Sequence, residues 1–180
     1  PISIMDSVNN HDDSVFYIEK HIADDVRAAG RAAVKSFGVK SRFVHFEFFR
    51  LTQEHAHLGK RGRIIGLEVN YRPSGGFTPD MINYACSTDV YKDWADMVAF
   101  DRLTKEEYPD KYYCVSAGCR KEKHYLHSYE EVMAAYKDDI MMTTELPEVL
   151  ASAMGDRLYL ARFAEKEAMD AFISYVFATA

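Results

Sequence analysis

Two glutamates in neighbouring strand-like segments are the feature that most restricts how this chain can fold. Segments 42–52 and 62–71 are rich in apolar residues, and they carry Glu47 and Glu68 respectively. The polar stretch between them, around His57, predicts the turn of a hairpin that places the two glutamates almost opposite each other. Like charges that face each other across a ladder are destabilising, and burial makes this worse unless a cation lies between them.

Polar residues recur at every second position where the second segment ends. Because side chains two residues apart in a strand point to the same face, Glu68, Asn70 and Arg72 are predicted to form one polar row. With Glu47 opposite, this face would carry two carboxylates, an amide oxygen and a guanidinium. Such a set suits a hard divalent cation that carries phosphate.

The composition indicates a globular protein and excludes several functional classes. The chain has 180 residues, of which 48% are hydrophobic, and a net charge of −6. This is ample material for a core, while the negative charge argues against a nucleic-acid-coating surface. No apolar run is long enough to span a bilayer. The three cysteines, an odd number without metal-type pairing, suit a reducing cytoplasm.

Hydrophobic periodicity predicts an α+β protein with a mostly antiparallel sheet. Strands are predicted at 14–20, at the two glutamate segments, at 111–120 and at 157–163. Helices are predicted at 22–37, at 78–86, from Val90 to Phe100, at 128–138 and from Glu165. The last helix is expected to bury Ala168, Phe172, Ile173 and Val176. Gly38 predicts the end of the first helix, and Ser128 with Glu131 has the spacing of a capping box.

Taken together, residues 14–100 resemble the C-terminal part of an ATP-grasp ligase, of the type that includes biotin carboxylase and the large chain of carbamoyl-phosphate synthase. The resemblance is carried by Phe46-Glu47-Phe48-Phe49 and by Glu68-Val69-Asn70-Tyr71-Arg72 followed by Gly75-Gly76. It implies the second half of an ATP-grasp fold in residues 1–103. A small C-terminal α/β subdomain is then expected in residues 104–180.

The resemblance also implies a site for ATP with Mg²⁺ or Mn²⁺. Glu47, Glu68 and Asn70 would bind the metal ions that bridge the ATP phosphates, and Arg72 would be the catalytic residue that stabilises an acyl phosphate. Asn70 and the Gly75-Gly76 turn are the expected cofactor-binding residues, because the helix that follows the turn presents free N–H groups to an anion. Phosphoryl transfer depends mostly on positioning and on neutralisation of charge, which these residue types supply.

The implied activity is the ligation of a small carboxylate to an amine-type nucleophile, with release of ADP and phosphate. The N-terminal lobe of such enzymes, which supplies most of the adenine pocket, is not visible before residue 20, and the chain begins with Pro1 rather than Met. We therefore expect an incomplete enzyme, a processed or excised piece that needs the missing lobe in cis or in trans. Neither nucleic acid nor a membrane is an expected partner.

Other interpretations of the same residues remain open. One is a non-catalytic ATP-grasp-derived interaction module that forms a homodimer through the face left open by the missing lobe. Another is a metal-dependent phosphoesterase that uses the same carboxylates. The polar row is also compatible with a solvated sheet face, where exposed ion pairs contribute only about 0–1 kcal/mol. Against this last interpretation, Phe46, Phe48 and Phe49 favour a covered strand.

The remaining polar candidates are expected to be structural or solvated. His45, two residues before Glu47, would share the face of that glutamate and is a secondary candidate for supporting the site. Cys114 and Cys119 are expected to be buried thiols, since no base is evident beside them. The histidine pairs 55/57 and 124/127 lack a complete set of zinc ligands and are expected to be solvated.

Overall fold

The computed structural model describes residues 9–102 and 111–179, and its contacts divide the chain into two units. The first unit comprises the described parts of 1–20, 80–88 and 108–180, and the second those of 21–79 and 89–107. The predicted boundary between residues 103 and 104 remains a prediction, because residues 103–110 lie outside the described chain.

The elements confirm the predicted α+β class. The strands are β1 (Ser14–Ile18), β2 (His45–Arg50), β3 (Ile64–Asn70), β4 (Tyr113–Cys119), β5 (Ile140–Glu145) and β6 (Arg157–Phe163). The helices are α1 (Asp24–Ser36), α2 (Thr78–Cys86), α3 (Val90–Phe100), α4 (Tyr129–Ala135), α5 (Glu148–Met154) and α6 (Lys166–Val176). All pairs among these described strands are antiparallel.

The first unit is built on a four-stranded sheet in the order β1-β4-β6-β5. Alternate residues of the two central strands, such as Val115 on β4 and Ala161 on β6, point to one face and are buried there. On that face they pack with Val132 of α4 and with Met169 and Phe172 of α6. This cluster is the hydrophobic core of the unit.

The opposite face of the same sheet allows a very close approach between two backbones. A Cβ atom on Gly118 of β4 would overlap the carbonyl oxygen of Met154 and lie 2.8 Å from its carbonyl carbon. Gly155, with φ of +89°, lies against Gly118 in turn, and a Cβ there would lie 2.5 Å from the Gly118 carbonyl carbon. The chain therefore needs glycine at both positions for α5 to end against β4.

The second unit contains the β2–β3 hairpin together with α1 and α3. A two-stranded hairpin is marginal in isolation, so helix contacts are needed to hold it. Arg50 of β2 donates to Asp25 of α1 at 2.8 Å, and the Phe43 ring lies 5.5 Å from Trp94 of α3. The hydrogen bond from Arg50 lowers the pKa of Asp25 to about 2, so the carboxylate stays ionised down to about that pH, and the stability that the pair contributes is lost as the pH falls from 3.8 to about 2.

Helix termini that carried a local signal lie close to the predicted positions. Gly38 adopts φ of +61° just after α1, and its N–H donates to the carbonyl of Lys35. The capping box of α4 is complete, since Ser128 Oγ accepts from the Glu131 N–H and the Glu131 carboxylate accepts from the Ser128 N–H.

Two expectations about the C-terminal half are wrong, and two elements there were missed. The helix from 128 ends at Ala135 rather than near 138. Strand β5 and helix α5, which follow it, were not predicted at all, because β5 carries apolar residues and threonines without alternation and α5 is one of the shortest helices. In α6 the residue that turns inward is Met169, whereas Ala168 is exposed.

Candidate functional site

The two glutamates face each other across the β2–β3 hairpin. Glu47 and Glu68 are direct Cα partners in the antiparallel register, which confirms the predicted placement. The register shifts immediately afterwards, since Phe48 pairs with Gly66 and Leu67 has no partner. A bulge of this kind increases the local twist and re-aims side chains beside it.

A second pair of polar residues adjoins the glutamates on the same face. His45 and Asn70 are also Cα partners. Each lies two residues from the glutamate of its own strand, so its side chain points to the same face. The Asn70 side-chain amide donates to Glu68 Oε1 at 2.8 Å, and His45 Nε2 lies 3.6 Å from Glu47 Oε1. Glu68 is therefore oriented by a hydrogen bond from its own strand, whereas Glu47 only has the His45 ring nearby.

The hairpin is more open than the aromatic residues suggested. Phe46 and Phe48 are only half-buried and Phe49 is 58% exposed, so the expectation of a covered strand is wrong for the described chain. The side chain of Glu47 is 41% exposed and Glu68 is exposed. Both carboxylates are therefore accessible to a ligand.

Arg72 does not extend the polar row as the strand pattern predicted. Strand β3 ends at Asn70, and Arg72 lies in the bend that follows. Its exposed guanidinium donates to the backbone carbonyl of Pro73 at 3.0 Å. Among the described residues, no carboxylate forms an ion pair with it, so its charge is available to an anionic ligand.

The two glycines lie in the turn between β3 and α2. Gly76 has φ of +58°, in the left-handed region that glycine adopts without strain. The Thr78 N–H donates to the Gly75 carbonyl at 3.3 Å, where α2 begins. A Cβ atom on Gly75 would meet nothing within 4 Å, so the space beside this turn is open.

The residues at the hairpin have the chemistry of a hard-cation site but do not form a complete one. Oxygen ligands from two carboxylates and one amide suit Mg²⁺ or Mn²⁺, which commonly complete their coordination with water and phosphate. Within 9–102 and 111–179, no three side chains of His, Cys, Asp or Glu are arranged to hold a metal ion. A metal bound by Glu47 and Glu68 would therefore also need Asn70 and further ligands, such as water or phosphate oxygens.

The two cysteines are unreactive and His55, His57 and His124 are exposed, as expected, whereas His127 is half-buried rather than solvated. Burial raises the pKa of the Cys114 and Cys119 thiols to about 12, so neither is a thiolate at neutral pH. His55 and His57 lie in the exposed hairpin loop with their rings 6.1 Å apart. His127 is stacked on Tyr175 at 3.6 Å between ring centres.

One cavity was not expected from the sequence. It has a volume of about 240 Å³ and lies in the first unit, where residues from β4, β5, β6, α4 and α6 meet. Its lining residues are spread from Cys119 to Val176 and form no motif. Only the pairing of strands brings them together.

The facing glutamates lead to a first testable result. Because they repel each other, we expect Glu47→Gln to raise the free energy of unfolding of the metal-free second unit by about 0.2–1 kcal/mol. Urea denaturation in a chelating buffer would measure this through Trp94, the only tryptophan of the chain and a residue of that unit. The control Glu54→Gln, in the exposed loop, should change nothing. Equal or lower stability of Glu47→Gln would show that the pair is not repulsive.

Comparison with known proteins relates the fold to that of an ATP-grasp ligase. This is the crystal structure of phosphoribosylglycinamide synthetase from Anaerococcus prevotii, with a TM-score of 0.55 and 14% sequence identity. The match covers 90% of this chain but 44% of that protein, so the chain spans less than half of its length. At this identity the likeness shows the fold alone. No family model and no curated protein sequence matches.

The finer expectation, a relation to biotin carboxylase or carbamoyl-phosphate synthase, remains a prediction. The same holds for the roles of Glu47, Glu68, Asn70, Arg72 and the Gly75-Gly76 turn. As to membranes, none of the described helices combines the length and the apolar character needed to cross a bilayer.

Proposed function

We propose that this chain is part of an ATP-dependent ligase that activates a carboxylate as an acyl phosphate and transfers it to an amine or similar nucleophile. The observation that carries the proposal is the direct pairing of Glu47 with Glu68 on an open sheet face. The shared fold with an ATP-grasp ligase supports it. Two facing carboxylates repel each other and destabilise the fold, and such destabilising arrangements persist mainly where they serve a functional site.

Glu47, Glu68 and Asn70 are the residues that would hold Mg²⁺ or Mn²⁺. When bound, the ion would neutralise the phosphates of ATP. The amide of Asn70 contacts Glu68 already, so a modest rotation would bring its oxygen rather than its nitrogen towards the ion. The placement of His45 beside Glu47 would hold that carboxylate in position.

Arg72 and the Gly75-Gly76 turn would bind the anionic groups of the reactants. The guanidinium of Arg72 lacks a carboxylate partner among the described residues and can hold phosphate or carboxylate in a two-pronged manner. Beside the Gly75-Gly76 turn there is open space, which would leave room for an anion next to Arg72. In this arrangement Arg72 would stabilise the acyl phosphate while the nucleophile attacks.

The proposed ligase needs parts that the described residues do not supply. The adenine pocket and the sites for the carboxylate and the nucleophile would come from a further lobe, in the same or another polypeptide. We place this reaction in the cytoplasm, where ATP is abundant and the free cysteines stay reduced.

Titration calorimetry of the chain with Mg²⁺ or Mn²⁺, with and without ATP, tests the proposal. We expect the metal to bind and ATP to bind only in its presence, because the carboxylates repel the phosphates until a cation lies between them. If neither metal nor nucleotide binds, the proposed site does not exist in this chain.

A second candidate is an interaction module without catalysis. It is favoured by the exposed apolar side chains Leu67, Val69 and Tyr71 on and beyond β3, which are 55%, 39% and 44% exposed. Sedimentation equilibrium separates the candidates, since a concentration-dependent dimer without metal-dependent nucleotide binding would support the module. Hydrolysis of a simple phosphate ester by the chain alone would instead support a phosphoesterase.

A further inference from the structure

The cavity of the first unit has an apolar floor and a charged rim. Val132, Tyr159 and Val176 form part of its lining and are 2%, 3% and 2% exposed. The ring of Tyr129 stacks against that of Tyr159 with 6.2 Å between centres. At about 240 Å³, the cavity is smaller than the sites of drug-sized ligands, so it suits a molecule of few atoms with an apolar part.

The rim carries two ion pairs, each between a basic and an acidic side chain. Arg157 lies 2.6 Å from Glu145, and Lys121 lies 3.8 Å from Asp156. The Arg157 guanidinium also lies over the Tyr129 ring, 4.4 Å from its centre, which holds it at the mouth of the cavity. Both pairs are partly exposed, so opening them to a ligand costs little.

The other charged side chains of the lining are already committed to the protein. Arg120 is 4% exposed, and its guanidinium donates to the backbone carbonyls of Asp12, Ala151 and Ser152. Lys123 pairs with Asp13 at 3.0 Å. The two rim pairs are more exposed than these groups, and in each of them a cation faces a carboxylate, so they are the charges that a ligand would meet first.

This balance restricts the chemistry of the ligand. A polyanion such as a nucleotide would meet Glu145 and Asp156 as well as the cations, and would be repelled by them. A ligand with one positive and one negative group close together satisfies both members of a pair. An α-amino acid has that charge pattern and an apolar side chain that fits the floor.

We propose that this cavity binds a free α-amino acid or a similar small zwitterion. The ligand's carboxylate contacts the Arg157 guanidinium, its ammonium group contacts Glu145, and its side chain lies against Tyr129 and Tyr159. This inference does not depend on the proposed ligase activity, because the cavity lies in the first unit and the metal site in the second.

Calorimetry of the 180-residue chain, in a chelating buffer without ATP, tests this inference. Each of the twenty standard amino acids would be titrated to about 10 mM, since small ligands with few contacts often bind in the millimolar range. We expect at least one to bind. Its analogues that lack either the amino or the carboxyl group should bind about tenfold more weakly or worse.

Two variants of the rim and one control complete the experiment. Arg157→Gln and Glu145→Gln should each weaken binding about tenfold. The control Lys137→Gln, at an exposed position outside the cavity, should bind as the parent chain does. The inference is overturned if no amino acid binds, if the deaminated acid binds as tightly as the amino acid, or if both rim variants bind like the parent.

Discussion

Glu68→Ala is expected to weaken Mn²⁺ binding by about 100-fold or more and to abolish metal-dependent binding of ATP. The substitution removes one of two facing carboxylates and leaves Asn70 without the group to which it donates. Loss of a supporting residue alone typically costs a metal site 10–100-fold, and loss of a ligand costs at least as much. Calorimetric titration with Mn²⁺, before and after addition of ATP, would measure both effects.

A matched control separates loss of the site from loss of general negative charge. Glu54→Gln removes a carboxylate charge from the exposed loop of the same hairpin and should bind Mn²⁺ like the parent chain. Full metal affinity in Glu68→Ala would contradict the proposed metal site. An equal loss of Mn²⁺ affinity in both variants would mean that metal binding depends only on the overall negative charge.

Gly118→Ala is expected to destabilise the first unit by about 3 kcal/mol or more. The added methyl group would overlap the backbone of Met154, which cannot rotate away as a side chain can, so α5 would have to separate from the sheet. Overpacking of well-filled positions costs about 1–3 kcal/mol even where side chains can adjust. Hydrogen exchange in peptides from β4 and β6 would measure the loss within this unit.

The same substitution at another glycine serves as the control. A Cβ atom on Gly30 in α1 would meet nothing within 4 Å, and alanine is favoured over glycine inside a helix by roughly 0.5–1 kcal/mol. Gly30→Ala should therefore stabilise the second unit, as followed through Trp94. Exchange in β4 and β6 that is as slow in Gly118→Ala as in the parent would show that the two backbones can separate at little cost.

Local signals in the sequence predicted the hairpin and several helix ends. Two apolar runs flank a polar loop, and the side-chain period of two then leaves little freedom in register, so the facing of Glu47 and Glu68 followed from spacing. The predictions from Gly38 and from the Ser128–Glu131 capping box were correct for a similar reason. Each is an interaction between residues that are close in sequence.

Such local signals did not predict which distant strands pair with each other. Strand β1 pairs with β4, with Ser14 opposite Gly118. Nothing near Ser14 indicates that partner, because the energy of pairing comes from backbone groups that all sequences share. Strand β5 was missed for a related reason, since it is defined by β6 beside it rather than by alternation of its own residues.

The candidate metal site was predicted only in part. Glu47, Glu68 and Asn70 share a face because all three lie within strands, where the period of two applies. Arg72 departs from the row because β3 ends at Asn70, and the backbone beyond it follows the turn towards α2. The exposure of Phe49 depended on which helices cover the hairpin, and that is not a local property.

The sequence by itself determined the class of the fold, the hairpin with its facing carboxylates, and the termini that carry a cap or a glycine. These depend on contacts within a few residues, where the geometry of the backbone leaves few choices. Only the tertiary structure decided the order of the four-stranded sheet, the glycine contact between β4 and α5, and the cavity with its paired charges. These depend on which distant segments pack together, and that choice rests on the summed burial of many side chains rather than on any short pattern.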